Sequence, residues 1–331
     1  RLWTQEFPHS LGAYYAALTQ YLGFSPNSGE GKVMGLASYG QPVYADEFRK
    51  LLKLTPDGFE LDLSYFDFYV ERPRRYSRKL VDLLGEPRVP ESPITKHHED
   101  LAASMQAVFE EAILHLARLA RAKTGMDTLC MAGGVTLNCS ANGKLLEAGI
   151  FDRCFFQPAS SDAGAGLGAA LYVTHVLEGR PRGTPELLLE YLGPRHTNEQ
   201  VRDTLDKGGI RYVTPEDPYG LAGRLLARGL IGSVYQGQAE FGPRALGNRS
   251  TLADPRPAEM KDRVNARVKF REGFRPFAPS VLAERAVEYF GPGADFSPFM
   301  LRVFPTRPER LHEARAVTHV DGGARVQSVT R

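Results

Sequence analysis

Five cationic side chains, Arg244, Arg249, Lys269, Arg271 and Arg275, fall within two short segments of the sequence. The first reads Gln236-Gly237-Gln238-Ala239-Glu240-Phe241-Gly242-Pro243-Arg244-Ala245-Leu246-Gly247-Asn248-Arg249-Ser250, and the second Lys269-Phe270-Arg271-Glu272-Gly273-Phe274-Arg275-Pro276-Phe277. Glycine lets a backbone approach a ligand closely, and proline stiffens the loop that carries the charge. Guanidinium forks match planar oxyanions through paired hydrogen bonds. The chemistry expected of such a stretch is capture of phosphate or a phosphate-like acid. The competing reading is a solvated basic loop whose arginines are structural.

Two further glycine-rich turns could bring a phosphate to a helix N-terminus, where unsatisfied N–H groups favour anions. Residues 128–132 read as an apolar strand, Gly133-Gly134-Val135 as a turn, and 136–148 as a helix that contains Asn138. Residues 154–157 repeat the strand, Ser160-Ser161-Asp162-Ala163-Gly164-Ala165-Gly166-Leu167-Gly168 the turn, and the next helix runs through Leu177. Two strand–turn–helix units in succession imply a parallel sheet with ligands at the carboxyl ends of its strands. Asp162 is the only acid in its turn. An acid beside a phosphate needs a cation between them, which makes Asp162 a metal ligand; the alternative is a helix N-cap. Upstream, Gly29-Glu30-Gly31-Lys32-Val33-Met34-Gly35 lacks phosphate-loop spacing and is either a nucleotide-facing turn or an ordinary helix start.

The elements that must position these residues are an N-terminal helix at 13–22 capped by Ser10, and a long amphipathic helix at 99–121. Leu101, Met105, Val108, Phe109, Ala112, Leu116 and Leu119 line one stripe of the latter. Residues 42–93 read as an irregular insertion. Its Arg72, Arg74, Arg75 and Arg78 are solvated surface or contacts to an acceptor. Residues 178–185 mark a domain boundary, followed by helices at 198–207 and 218–228, a strand at 210–213, a helix at 260–268 and strands at 302–304 and 325–329.

With 331 residues, 42% hydrophobic and 24% charged, the chain has room for two domains. A net charge of +2 gives no global reason to expect nucleic acid or a membrane surface. No apolar run reaches the ~18–20 residues of a membrane helix. Cys130, Cys139 and Cys154 show neither zinc-site nor paired-disulfide spacing, so reduced thiols and a cytoplasmic setting are expected.

Residues 29–37, the Ala132-Gly133-Gly134-Val135 turn with Asn138, residues 160–168, 240–250 and 270–279 together resemble the O-carbamoyltransferases of nodulation-factor and antibiotic biosynthesis, the NodU/CmcH type. The resemblance covers nearly the whole chain. It implies an α/β fold: at 1–186 the second half of an actin/hexokinase-type, RNase H-like ATPase domain, similar to the tRNA threonylcarbamoyl transferases, and at 187–331 an incomplete YrdC-like domain. It also implies that carbamoyl phosphate and ATP give carbamoyl-adenylate, whose carbamoyl group passes to a hydroxyl of a sugar or other natural product. Arg244, Lys269 and Arg275 would be the catalytic cations. Gly31, Lys32, Gly133, Gly134, Asn138, Gly164, Arg249 and Arg325 would contact nucleotide or phosphate. Asp162 would bind iron, with zinc or manganese as alternatives, beside two histidines. None of the eight histidines has a partner four residues on, and the closing Asn-Thr-Ser-Phe-Asn segment of the resembled family is absent. The expectation is therefore an inactive fragment of a longer enzyme. An actin/hexokinase-superfamily kinase and a catalytically dead nucleotide-binding module are the competing functions.

Overall fold

The computed structural model describes residues 2–70, 73–183 and 191–330. These form a mixed α/β protein in two compact units. The first comprises Arg1–Phe156, Phe274–Pro276 and His319–Gly323; the second comprises Gln157–Gly273, Phe277–Thr318 and Ala324–Arg331. The expected domain boundary at 186/187 lies outside the described residues, as does Arg72.

In the first unit, α1 (Leu11–Tyr21) starts at Ser10, whose hydroxyl accepts the Ala13 N–H at 3.2 Å. It is followed by α2 (Glu30–Ala37) and α3 (Ala45–Leu51). An antiparallel hairpin then pairs β1 (Leu52–Thr55) with β2 (Gly58–Leu61), and α4 (Arg78–Leu84) follows. The chain reaches its spine in α5 (Lys96–Thr124), whose Thr95 cap and His98 form a reciprocal capping box. The Leu101–Met105–Val108–Phe109–Ala112 stripe is buried as its spacing requires. At about 25 cal/mol per Å², burying a side chain such as Phe109 contributes about 2–3 kcal/mol.

Residues 42–93 are not an irregular insertion. Phe48, Leu51, Leu52, Phe59, Leu61, Phe66 and Leu80 enter the same core as α1 and α5. Elements of four to seven residues are too short to display the periodicity by which sequence alone reveals them.

The two strand–turn–helix units fold as the pattern requires up to their sheet. β3 (Thr128–Met131) and β4 (Arg153–Phe156) pair in parallel, joined through α6 (Cys139–Glu147). The helix predicted from residue 136 begins only at Cys139, because residues Gly134–Leu137 form a 3-10 turn. None of the three cysteines is in a disulfide.

The second unit holds α7 (Ala165–Tyr172), α8 (Asn198–Lys207) and α9 (Pro218–Ala227). Helix α7 continues as a π-turn in which Val176 and Leu177 are exposed. No strand forms at 210–213, where Ile210, Tyr212 and Val213 lie exposed with no sheet partner to satisfy them. β5 (Gly232–Tyr235) pairs antiparallel with β6 (Arg249–Leu252), which brings the two ends of the first cationic loop together. Then come α10 (Met260–Val264), β7 (Ser280–Leu282), α11 (Ala283–Phe290), β8 (Val303–Pro305), β9 (Gly323–Arg325) and β10 (Gln327–Val329). The single strand expected at 325–329 is two: β9 pairs with β8, while β10 pairs in parallel with β7. Val326 between them is fully buried among Ala286, Phe290, Ala294 and Phe304. Among the described residues no helix is long and apolar enough to cross a membrane.

Candidate functional site

The loop between β5 and β6 is organised by an acid. One carboxylate oxygen of Glu240 accepts the main-chain N–H groups of Leu246 (2.8 Å), Asn248 (2.8 Å) and Arg249 (3.0 Å). Partial burial pushes this carboxyl up, but the donors from Leu246, Arg249 and Asn248 outweigh it and hold it below the usual glutamate range. Gly242 (φ +120°) and Gly247 (φ +113°) take left-handed backbone that a side chain would resist. The Leu246 carbonyl accepts from Tyr191 and from Gln327, each at 2.8 Å. Arg244 rides on this pinned loop, partly buried.

Arg249 does something other than the sequence suggests. Its guanidinium stacks over Tyr235 at 3.7 Å and donates to the carbonyls of Gln236 (2.5 Å), Asn248 (2.8 Å), Gly237 (3.3 Å) and Pro194 (3.4 Å). Those bonds use the fork to staple the base of the loop. Arg271 acts similarly in the second segment, donating from Nε to Asn265 Oδ1 at 2.7 Å and lying 4.5 Å over the Phe277 ring. Lys269 ends a π-turn (Asn265–Lys269) and is exposed. The next residue, Phe270, holds φ +45° with its ring 80% exposed. Left-handed backbone at a bulky residue costs about 1–2 kcal/mol, a strain that concentrates at functional loops. Arg244, Lys269 and Arg249 belong to the second unit, as does Arg325 at the end of β9; Arg275 belongs to the first.

In the first unit Gly31 sits in the first turn of α2 with open space where a Cβ would stand, and Lys32 Nζ lies 5.6 Å over the Phe24 ring. Gly133 (φ +94°) and Gly134 are exposed and equally open where a Cβ would stand, which leaves room beside their backbone. Asn138 faces inward. Its Oδ1 caps α6 by accepting the Ala141 N–H (3.0 Å) and also accepts from Gln106 (3.0 Å), while its Nδ2 donates to Gln106 Oε1 (3.0 Å). Gln106 in turn accepts from Tyr15 (2.7 Å) and donates to Glu110 (2.7 Å), and Glu110 pairs with Lys144 at 2.5 Å. This buried network ties the glycine turn to α5.

Gly164 is needed for a reason internal to the fold: a Cβ there would stand 2.2 Å from the Ala159 carbonyl oxygen. Asp162 is exposed, and neither its own 3-10 turn nor α7 has a side-chain cap, so the N-cap reading does not hold. Among the described residues no three His, Cys, Asp or Glu side chains converge on a point that could hold a metal ion. One exposed carboxylate is one donor and does not by itself make a metal site.

Residues 1–171 match the family model described as Carbamoyltransferase N-terminus, and residues 223–331 the one described as Carbamoyltransferase C-terminus. The chain belongs to the carbamoyltransferase family. It is 44% identical to an uncharacterized protein of Synechocystis over 99% of this chain and 58% of that protein. It is 43% identical to the nodulation protein NolO of Bradyrhizobium diazoefficiens over 98% of this chain and 59% of NolO. With nodulation protein NolNO of Sinorhizobium fredii it shares 42% identity over 98% of this chain and 47% of NolNO. The chain thus spans roughly half the length of these relatives.

Two residues of this member of the carbamoyltransferase family carry more of the candidate site than the sequence reading gave them. Glu240 is the only acid in residues 236–250, and that lone negative charge was the available signal. Gln106 left no signal, because on a helical wheel it is one more polar residue beside the apolar stripe.

Replacing Glu240 tests the loop architecture directly. Glu240→Ala removes the acceptor of three N–H groups and is expected to destabilise the protein by about 2–3 kcal/mol. Trypsin should then cut faster after Arg244 and Arg249. Glu240→Gln keeps an acceptor oxygen and should cost about 1 kcal/mol. A carboxyl lowered by folding contributes stability above its unfolded pKa of about 4.3 and loses it as pH falls from there through the folded value. Loop protection in the wild type should therefore fade below about pH 4.3, and in the glutamine variant this fading should be absent.

Proposed function

We propose that the protein is an ATP-dependent O-carbamoyltransferase, in which carbamoyl phosphate is first hydrolysed to carbamate and inorganic phosphate, and the carbamate oxygen then attacks the α-phosphorus of ATP to give carbamoyl-adenylate and pyrophosphate. The carbamoyl group then passes to a hydroxyl of a sugar or other natural product, releasing AMP. Family membership supports transfer of a carbamoyl group over the kinase and dead-module readings. The observation that carries the adenylation step is the pinned loop of residues 240–249. Fixed glycines, a carboxylate clamp and a stapling Arg249 hold Arg244 on a rigid support. Carbamoyl phosphate and ATP bring several negative charges together, and preorganised cations lower the cost of assembling and rearranging them.

In this reading Arg244, Lys269 and Arg275 hold the phosphates of the two substrates, with Arg325 as a further anion contact. The open backbone at Gly133 and Gly134 and the α2 residues Gly31 and Lys32 receive the nucleotide. Arg249 and Asn138 act through position rather than contact, and Gly164 through close packing of its turn. The test is labelled pyrophosphate exchange into ATP by the full-length protein. Exchange that requires carbamoyl phosphate is expected; no exchange with both substrates saturating would sink the proposal.

Asp162 is proposed to supply one ligand to a divalent metal, iron by preference, completed by donors beyond the described residues. Asp162→Ala in the full-length protein is expected to lower bound metal per polypeptide by at least half while sparing pyrophosphate exchange. Metal content equal to wild type would remove this role.

A further inference from the structure

Arg275 stands between two residues that are docked at α2 and the chain on either side of it. Phe274 packs edge-on against Phe24 (centroids 6.3 Å, 65°) and Tyr39 (6.4 Å, 79°), the latter just beyond the C-terminus of α2. It joins the margin of the core formed by α1, α2 and α5. On the other side of Arg275, Pro276 lies beside Gly35, its Cδ 3.5 Å from where a Cβ on that glycine would stand. A second segment braces the same place. His319 donates from Nε2 to the Gly35 carbonyl at 2.9 Å and sets its ring edge-on to Tyr39 at 5.3 Å. Ser38 donates to Asp321 Oδ2 at 2.7 Å. Helix α2 also carries Gly31 and Lys32.

We infer that Phe274 is a positioning residue for Arg275, with His319 as its brace. The aromatic clasp fixes the main chain that bears the Arg275 guanidinium in register with the helix that bears Lys32. The physical reason is preorganisation. A loop cation that must be ordered at each binding event loses affinity through its own conformational entropy, whereas one flanked by two docked residues does not. Small displacements of such groups are expensive in catalysis. The inference rests on the reading of Arg275 as a ligand of the anionic substrates.

The experiment is a double-mutant cycle in the full-length protein, read as the KM for carbamoyl phosphate in pyrophosphate exchange, with amide hydrogen exchange of residues 30–37 measured in parallel. Phe274→Ala should raise KM about tenfold with kcat within about twofold. Its combination with Arg275→Ala should be no worse than Arg275→Ala alone, because Phe274 acts through that side chain. Exchange in residues 30–37 should accelerate in Phe274→Ala. His319→Gln, which keeps an N–H donor, should stay near wild type, while His319→Ala follows Phe274→Ala. Phe274→Leu serves in place of the alanine variant should that one fail to fold. A wild-type KM in Phe274→Ala, effects that multiply in the double variant, or unchanged exchange in residues 30–37 would each overturn the inference and leave the role of Arg275 intact. A wild-type KM in Arg275→Ala would instead overturn that role, and the inference with it.

Discussion

In the full-length protein, Arg244→Ala and Lys269→Ala should each reduce carbamoyl phosphate-dependent pyrophosphate exchange about 100-fold or more. Removing one preorganised donor from a site where negative charge gathers typically costs a factor of about 10²–10³. The two positions differ in how cleanly they separate chemistry from folding. Lys269 is exposed at the end of its π-turn, so its loss should change stability by no more than about 0.5 kcal/mol. Arg244 is partly buried, and the more informative replacement is Arg244→Lys, which keeps the charge and loses the planar fork. A lysine that restores most of the exchange would mean that Arg244 provides field rather than paired hydrogen bonds. Wild-type exchange in both alanine variants, measured by label incorporation into ATP, would remove the cationic site from the proposed reaction.

The second large effect is on stability. Asn138→Ala is expected to destabilise the first unit by about 2–4 kcal/mol. The lost N-cap of α6 accounts for about 1 kcal/mol, and the two bonds that Gln106 loses, while it keeps those to Tyr15 and Glu110, for about 1–3 kcal/mol. For a domain of this size each kcal/mol moves Tm by about 2–4 °C, so thermal melts should shift by roughly 4–16 °C. Asn138→Ser keeps a capping oxygen and gives up the bonds to Gln106, and should fall near the middle of that range. If Asn138 instead contacted the nucleotide, the alanine variant would melt like wild type and show only a raised KM for ATP.

Asn138 also illustrates where sequence reading stopped. The turn that contains it was legible: glycines follow a short apolar strand, the pattern repeats once, and β3 and β4 do pair in parallel. The direction of its side chain was not, because the partner that claims it, Gln106, lies 32 residues away on α5. The same holds for the arginines. Five cations in two glycine-rich segments pointed to an anion site, but charge and spacing do not tell a ligand-facing guanidinium from one folded back on its own carbonyls. Arg249 is of the second kind, and Arg271 donates to the Asn265 side chain. The early core elements at residues 45–84 escaped for another reason: they are too short to show a period, and only their shared contacts with α1 and α5 make them core.

What this sequence determined by itself was whatever rests on local periodicity and backbone chemistry. That comprises the long amphipathic α5, the Ser10 cap, the strand–turn–helix pairs and the loops that need glycine. Tertiary structure alone decided which polar groups meet. Glu240 gathers three N–H groups, Gln106 holds Asn138, and Phe274 packs against Phe24 and Tyr39, because a hydrogen bond or ring contact depends on where the folded chain brings its partners. The Asn138 and Phe274 contacts join residues far apart in sequence, and even the Glu240 bonds, which reach six to nine residues along one loop, depend on how that loop closes.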